Sequence, residues 1–248
     1  MSTDANLSVL ILGAASDIAR AIAHSYGRQG RNLVLAARNS VRLQRDASDL
    51  KSRYGVAVEV REFDVLDTGS HRAFLDGLPA LPETAVCAVG LLAEEERCAQ
   101  DFPLAELVMR TNYTGPVSIL GELANRMQAR GHGVIIGISS VAGDRGRATN
   151  YTYGSAKAAL TAFLSGLRNR LHGSGVRVIT VKPGFVATRM TQDMTLPRLL
   201  TARPEEVGRA VVAADRKQRD IVYVRPIWRL IMLIIVHLPE RIFKRLRL

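Results

Sequence analysis

The sequence predicts an α/β fold: a single domain on a doubly wound parallel sheet, with helices on both faces that make three layers. Its 248 residues are 47% hydrophobic, which is enough for one sizeable core and close to the length at which chains divide into domains. Short apolar runs recur along the chain, and segments with helical spacing separate them. Strands that alternate with helices form parallel sheets, because each crossover helix covers one face.

The predicted elements follow in chain order. The first apolar run ends at Gly13, and after it Ile18, Ala21, Ile22 and Tyr26 recur at helical spacing. The predicted strands are residues 7–12, 33–37, 57–63, 85–89, 134–138 and 176–181, and the later helices are residues 41–54, about 104–130 and 155–171. Because no linker precedes about residue 215, we predict a main domain over residues 1–215 and a tail over residues 216–248.

Composition limits the classes of protein that remain. Cys87 and Cys98 are the two cysteines, so no disulfide framework is implied and a reducing compartment fits. Residues 1–6 carry no basic segment of the kind that begins a secretory signal, so we expect the protein to stay where it is made. Residues 216–248 hold nine Lys or Arg and two Asp or Glu, about +7 of the +11 net charge. The basic excess therefore belongs to the tail.

The turn after the first strand is a candidate site for a dinucleotide. Backbone N–H groups and the helix dipole attract a pyrophosphate at such a turn. Of the three glycines expected there, Gly13 remains, and Asp17 and Ala19 stand at the other two places. The candidate contacts are Gly13, Ala15, Ser16, Asp17 and Ile18. The alternative is an ordinary strand-to-helix turn.

The end of the second strand indicates which nucleotide is bound. An acidic residue there would hydrogen-bond the ribose 2′-hydroxyl, but this strand ends in Ala37 and Arg38. Because a guanidinium binds phosphate well, NADP(H) is favoured over NAD(H), unless Arg38 is only a solvated surface residue. After the third strand, Asp64 could accept a hydrogen bond from the adenine amine while Val65 packs on the ring, although Asp64 could also be a turn residue.

Tyr153 and Lys157 are the candidate acid–base residues. They lie four residues apart, so on a helix they share one face, and a nearby ammonium would lower the pKa of the phenol. Ser140 follows the strand at 134–138, so its hydroxyl can lie at the carboxyl end of the sheet and hydrogen-bond a reacting carbonyl oxygen. The alternative for the Tyr–Lys pair is a surface contact.

Taken in order along the chain, these motifs resemble those of the short-chain dehydrogenase/reductase family, which has a Rossmann-like fold. The resemblance covers about residues 7–215. It rests on the turn at 13–19 and on Asp64, Asn112, Ser140, Tyr153, Lys157, Pro183, Gly184, Val186 and Thr188. The family's Asn-Asn-Ala-Gly motif at the fourth strand lacks its asparagines here, although Ala88 and Gly90 remain as candidate cofactor contacts.

The resemblance implies a role for each catalytic residue. Tyr153 would protonate the nascent alkoxide, Lys157 would bind the ribose hydroxyls, and Ser140 would polarise the carbonyl. Asn112 would support a proton relay through water, and Thr188 stands in the place that usually holds the nicotinamide carboxamide. The family's Ser-to-Tyr interval selects Ser140 over Ser139, and Tyr151 has no lysine four residues on. No metal site is expected.

Two segments outside these motifs suggest where the substrate binds and where it comes from. Residues 185–203 stand where the family keeps its substrate loop. Met190 and Met194 in this loop favour an apolar partner; the alternative is that they only fill gaps in the packing.

Residues 226–248 combine an apolar run, which is too short to span a bilayer, with several Arg and Lys residues. We predict a monotopic anchor on an anionic membrane surface, at its cytoplasmic face. The alternative is a helix in a dimer interface; nucleic acid fits less well.

The whole chain, tail included, is similar to the branch of the family that reduces polyprenyl-phosphate-linked 2-keto-pentoses. This resemblance implies a lipid-linked keto-sugar substrate, a partner flavin oxidase that makes the ketone, and the family's habit of homo-oligomers. Alternatives are a reductase of 3-ketoacyl, sterol or retinoid substrates, and a catalytically silent NADPH-binding module.

Overall fold

A computed structural model describes residues 8–192 and 194–246. Within these ranges the chain forms one domain around a seven-stranded parallel sheet of order β3-β2-β1-β4-β5-β6-β9. The predicted α/β class and Rossmann-like doubly wound sheet are confirmed. Leu7 as a strand residue, the lack of a signal in residues 1–6 and the last two tail residues lie outside the described residues.

The strands are short and, except for the edge strand β3, mainly apolar. They are β1 Ser8–Leu12, β2 Asn32–Ala37, β3 Val58–Glu62, β4 Thr84–Cys87, β5 Gly133–Ile138, β6 Val176–Pro183, β7 Phe185–Val186, β8 Thr201–Ala202 and β9 Ile221–Val224. In β1 the side chains that point to both faces are buried, which explains why it is a continuous apolar run without alternation. The strands β7 and β8 pair in a separate small ribbon.

The helices cover both faces of the sheet. They are α1 Asp17–Gly27, α2 Gln44–Tyr54, α3 His71–Asp76, α4 Glu95–Gln100, α5 Phe102–Met109, α6 Gly115–Arg130, α7 Tyr151–Arg170, α8 Pro204–Arg216, α9 Ile227–His237 and α10 Glu240–Phe243. Apolar residues of α1, α2 and α8 pack on one face, and those of α3, α6 and α7 pack on the other. The three predicted layers are therefore present.

The order of the strands places a crevice beside β1. After β3 at one edge, the chain returns to add β4 on the other side of β1. At such a reversal the connections from neighbouring strands diverge, and ligands bind at the carboxyl ends of the strands. The turns after β1, β4, β5 and β6 all meet at this end of the sheet.

The chain after residue 215 packs on the main domain. Residues Ile221–Val224 form the edge strand β9, paired with β6, inside the segment that was predicted to be a tail. Helix α9 then returns to the domain and buries Trp228 and Met232 against Val141. The packed fold thus continues past the predicted boundary at residue 215.

Helix α9 has two apolar faces with different surroundings. Its inner face is buried, whereas its outer face exposes large side chains to solvent: Ile227, Leu230, Leu233, Ile234 and Val236. None of the helices in the described residues has both the length and the hydrophobicity needed to cross a membrane.

Candidate active site

The turn between β1 and α1 lies against the end of β4. Gly13 adopts a φ of +79°, and a Cβ added to it would come within 2.9 Å of the backbone nitrogen of Val89. Any side chain would therefore strain the turn and push it away from β4. Ala88 lies beside Val89 in the same backbone segment, and its N–H donates a hydrogen bond to Leu12 O. Gly13 and Ala88 thus form the tight backbone cradle that a dinucleotide requires.

Helix α1 begins directly after this turn. Ser16 is its N-cap, and the Ser16 hydroxyl accepts a hydrogen bond from Ala19 N at 3.2 Å. Ile18 stands in the first turn. The helix N-terminus points into the crevice with its partial positive charge, so the backbone of Ala15 to Ile18 is suitable for a pyrophosphate.

The unexpected Asp17 is explained by a residue that the sequence analysis missed. The Asp17 carboxylate accepts hydrogen bonds from Arg189 N at 2.8 Å and Arg189 Nε at 3.0 Å, and Arg189 Nη2 donates to Ala15 O at 2.8 Å. Arg189 follows Thr188, the residue expected near the nicotinamide. The pair therefore joins the segment at Thr188 to the turn after β1 and offsets the negative charge of Asp17.

The adenosine end holds one expected cation and one unexpected carboxylate. Arg38, the candidate for a 2′-phosphate, is exposed directly after β2. Beside it, the Glu62 carboxylate accepts hydrogen bonds from Asn39 N at 2.7 Å and Ser40 N at 2.8 Å. Bonds from Ser40 and Asn39 lower the Glu62 pKa. Glu62 thus places a negative charge against the backbone that directly follows Arg38, which sequence reasoning did not foresee.

Asp64 and Val65 occupy the turn after β3. The Asp64 carboxylate accepts a hydrogen bond from Leu66 N at 3.0 Å, as in a simple turn, and remains partly exposed toward the crevice. Val65 is buried and lies against Gly115 at the start of α6. Both functions proposed for Asp64 are compatible with this geometry.

The residues Ser140, Tyr153 and Lys157 come together. Helix α7 begins at Tyr151, four residues before the predicted start, so Tyr153 and Lys157 both lie on it one turn apart. The Lys157 ammonium is 5.6 Å from the centre of the Tyr153 ring and donates to Ile138 O at 3.1 Å. Ser140, which follows β5, hydrogen-bonds Tyr153 and also accepts from Ala142 N at 3.1 Å.

Burial controls the ionisation of this pair. It raises the pKa of Tyr153 to about 12, and the hydrogen bond from Ser140 offsets only part of that effect. Burial also lowers the pKa of Lys157 to about 8. The raised pKa of Tyr153 reflects apolar surroundings that include Cys98, Ala105 and Val108, and the lowering expected from the Lys157 ammonium stays a prediction.

Asn112 is fully buried in a π-helical turn between α5 and α6. Its Nδ2 donates to Leu91 O at 2.6 Å and Val108 O at 2.9 Å, so it holds the chain just after Gly90. A Cβ on Gly90 would lie 3.2 Å from Asn112 Oδ1 and 3.7 Å from Lys157 Nζ, which places all three residues at one point. Irregular turns of this kind often mark functional sites.

The discounted candidates lie elsewhere. Ser139 is buried and bonds Lys157 O and Thr161 on the far side of β5, and Tyr151 is about half exposed. Another missed residue is Glu95, a buried carboxylate that accepts from Thr152 N at 2.9 Å and so caps the start of α7. No pattern in the sequence connects Glu95 with Thr152.

The segment after β6 closes the site. Pro183 ends β6, and Gly184 follows with the Trp228 indole packed directly on it. Val186 is buried and pairs with Ala202, and Thr188 starts a short turn stabilised by Thr191. These four predicted residues, Pro183, Gly184, Val186 and Thr188, form one continuous strip along the crevice. The glycine cradle, the helix N-terminus and this strip fit a nicotinamide dinucleotide.

Comparison with known proteins gives consistent matches. The family model described as short chain dehydrogenase matches residues 8–198. The chain is 38% identical over 241 residues to an uncharacterized oxidoreductase of Mycobacterium tuberculosis, covering 96% of each protein. It is 29% identical over 221 residues to an NADP-dependent 3-hydroxy acid dehydrogenase of Escherichia coli, covering 82% of this chain and 86% of that one.

A similar solved structure is a short-chain dehydrogenase from Sphingobium yanoikuyae in complex with NADPH. The TM-score is 0.79 at 24% identity, and the match covers 94% of this chain and 96% of that chain. At this identity the likeness concerns the fold.

Proposed function

We propose that this chain, which belongs to the short-chain dehydrogenase family, reduces a ketone to a secondary alcohol with NADPH. The chain is an oxidoreductase that acts on CH–OH or C=O groups, as its relatives are. The observation that carries the proposal is the cluster of Ser140, Tyr153 and Lys157 at the carboxyl end of the sheet. A catalytically silent module would have no chemical need for this cluster.

Each residue of the cluster has a definite part in the reduction. Tyr153, with a pKa of about 12, stays protonated at neutral pH and donates its phenolic proton to the alkoxide oxygen as that oxygen gains charge. Ser140 donates a hydrogen bond to the same oxygen and polarises the carbonyl. Lys157 binds the ribose hydroxyls and, when protonated, stabilises the phenolate left on Tyr153. Asn112 fixes the loop at Gly90 beside Lys157 and supports the return of the proton through water.

NADPH supplies the hydride when it is bound. The contacts proposed for it are the turn at Gly13, Arg38 for the 2′-phosphate, Asp64 for adenine and Thr188 for the carboxamide. The guanidinium of Arg38 supports NADP(H) over NAD(H), and the NADP dependence of the E. coli relative agrees. The negative charge of Glu62 reduces the preference for NADP(H), because it repels the 2′-phosphate.

The tail supports a peripheral position on an anionic membrane, at its cytoplasmic face. The apolar outer face of α9 is exposed, and the exposed side chains around it and on α10 are basic: Arg229, Arg241, Lys244 and Arg245. The one carboxylate of this segment, Glu240, is paired with Arg145. Apolar side chains surrounded by arginine and lysine fit the headgroup region of an anionic bilayer.

From this position follows the proposed substrate, a keto-sugar linked to a polyprenyl phosphate. An enzyme on the bilayer surface can take a substrate whose lipid remains in the membrane, and Trp228 links the tail to the substrate loop through its hydrogen bond to Leu200 O. We expect a separate oxidase to supply the ketone and the enzyme to act as a homo-oligomer.

The test of the reaction is NADPH oxidation, followed by the absorbance of the reduced nicotinamide. The panel contains keto-sugar polyprenyl phosphates, 3-ketoacyl thioesters and ketosteroids, with NADH in parallel. Turnover of a keto-sugar lipid with NADPH supports the proposal. Turnover limited to acyl or steroid ketones would move the enzyme to lipid metabolism, and no turnover with any ketone would favour a silent module.

The test of the membrane position is sedimentation with vesicles of phosphatidylglycerol and phosphatidylcholine. Substituting Leu230, Leu233 and Ile234 together by Ser should abolish sedimentation and leave the fold intact, because all three are exposed. Leu199→Ser is a control, since it removes an exposed leucine elsewhere. Truncation after Val224 is unsuitable, because it also removes the buried Trp228. Sedimentation of the triple variant would refute the assignment.

A further inference from the structure

The inner face of α9 contacts the cofactor segment through one side chain. A Cβ on Gly184 would lie 2.0 Å from Trp228 Nε1, so the indole packs directly on the backbone of the turn after β6. The same indole is in edge contact with Phe185, with ring centres 5.3 Å apart. Its N–H donates to Leu200 O at 3.0 Å, on the substrate loop. Displacement of α9 would therefore disturb the turn at Gly184 and the substrate loop together.

The loop that begins at Ser140 also rests on α9. Val141, the next residue, is buried against Trp228 and Met232. Further along the loop, the Asp144 carboxylate binds the Lys182 ammonium of β6 and accepts from the Tyr223 hydroxyl of β9 at 2.9 Å. The catalytic serine is thus connected to the last strand and to α9 through a few buried contacts.

Arg145 binds the end of α9 to the same loop. Its Nη1 donates to the carbonyl oxygens of Ile235 at 2.6 Å and Leu238 at 2.7 Å, at the helix end where carbonyl oxygens lack i+4 partners. Its Nη2 donates to the Glu240 carboxylate at 2.8 Å, and its guanidinium lies 3.7 Å from the centre of the Phe243 ring. One side chain therefore fixes α9 and α10 relative to each other and to the loop of Ser140.

This fixed arrangement determines the shape of the outer surface. Leu233 and Ile234 of α9 and Ile242 of α10 are exposed in the arrangement in which Arg145 contacts both helices. A flat bilayer surface should therefore bind the protein better when α9 and α10 are packed on the domain than when α9 has moved away from it. A ligand shifts a conformational equilibrium only through such a difference in affinity.

We infer that α9 and α10 couple membrane docking to the active site: binding of their outer face to an anionic bilayer favours the arrangement that binds NADPH, through Arg145 and Trp228. The inference rests on the proposed membrane position and on the proposed NADPH site. Arg145 and Trp228 are positioning residues, since they act through the Ser140 loop, the turn at Gly184 and the substrate loop.

Thermodynamic reciprocity supplies a test that needs no substrate. If docking tightens NADPH binding by a certain factor, NADPH must tighten vesicle binding by the same factor. NADPH affinity is measured by nicotinamide fluorescence with and without vesicles of equal parts phosphatidylglycerol and phosphatidylcholine. Vesicle affinity is measured by sedimentation with and without NADPH. We expect both factors to be about fivefold to tenfold.

Substitutions test whether the coupling depends on the contacts of Arg145. Arg145→Ala should keep both affinities measurable and reduce both factors to near one. Glu240→Ala removes only the exposed ion pair, so it should fold normally and reduce the factors in part. Arg126→Ala, which removes a guanidinium bound to Glu122 on α6, is the control and should keep both factors.

The possible failures can be told apart. If the protein sediments with vesicles and binds NADPH but neither affinity depends on the other ligand, the coupling is refuted and the proposed function stands. Equal factors in wild type and Arg145→Ala would refute the role of Arg145. If the protein does not bind vesicles but self-associates through the outer face of α9, this face binds a second copy of the chain. The proposed membrane position and the coupling are then both wrong.

Discussion

Replacement of Lys157 by Met should stabilise the protein while it destroys activity. The lysine is 2% exposed, and burial lowers its pKa from 10.5 to about 8. Below about pH 8 the folded state must hold a buried charge, which costs about 3 kcal/mol of the free energy of unfolding. Methionine has a similar length and carries no charge. Loss of the hydrogen bond to Ile138 O offsets about 1 kcal/mol of the gain.

The pH dependence of the stability difference between Lys157→Met and wild type shows whether the buried charge is its cause. A lowered lysine pKa gives a penalty that is complete below the folded-state value and vanishes above the unfolded-state value of 10.5. Lys157→Met should therefore be more stable than wild type by about 2 kcal/mol near pH 7 and about equal to it near pH 10. Urea unfolding at both pH values measures the difference, with the exposed Lys51→Met as control. A less stable variant near pH 7, or a difference independent of pH, would refute the reasoning.

The turn contacts, the nucleotide end and the tail give three further predictions. Arg189→Ala should weaken NADPH binding about tenfold, because it leaves a carboxylate unneutralised beside the pyrophosphate; unchanged affinity in a fluorescence titration would contradict this. Glu62→Gln should raise the preference for NADPH over NADH about fivefold at low salt and less at high salt, as measured by the two dissociation constants; no change would show that the carboxylate is too far away. Trp228→Ala should lower the free energy of unfolding by about 3 to 5 kcal/mol, while the exposed Leu230→Ala changes it little; similar values for the two variants in urea unfolding would refute the buried packing.

Local sequence patterns were enough to predict most of the sheet and the central residues of the site. The strands β1, β2, β4, β5 and β6 are mainly apolar runs, and such runs can be recognised in a sequence because both of their faces are buried. The edge strand β3 instead alternates valine with charged residues. Tyr153 and Lys157 were predicted together because a helix places residues four apart on one face. The fold class follows from the same local periodicities.

The features that were missed depend on contacts between distant parts of the chain. The strand β9 has four residues, and among the described strands it pairs with β6 alone. Asp17 and Arg189 are 172 residues apart, and only the unexpected carboxylate in place of a glycine hinted at a partner. The pKa of Tyr153 depends on packing against α4 and α5, which the spacing to Lys157 does not reveal. The buried face of α9 was likewise hidden, because the helix is apolar on nearly all sides apart from Arg229 and His237.

The central claim is that Tyr153 donates the proton in an NADPH-dependent reduction. The direct measurement compares Tyr153→Phe with wild type, using nicotinamide fluorescence for NADPH binding and the ketone panel for turnover, with Tyr151→Phe as the matched control. The account predicts nearly unchanged NADPH binding, normal turnover in the control, and loss of turnover by a factor of about a thousand in Tyr153→Phe. Turnover by Tyr153→Phe close to that of wild type would contradict it.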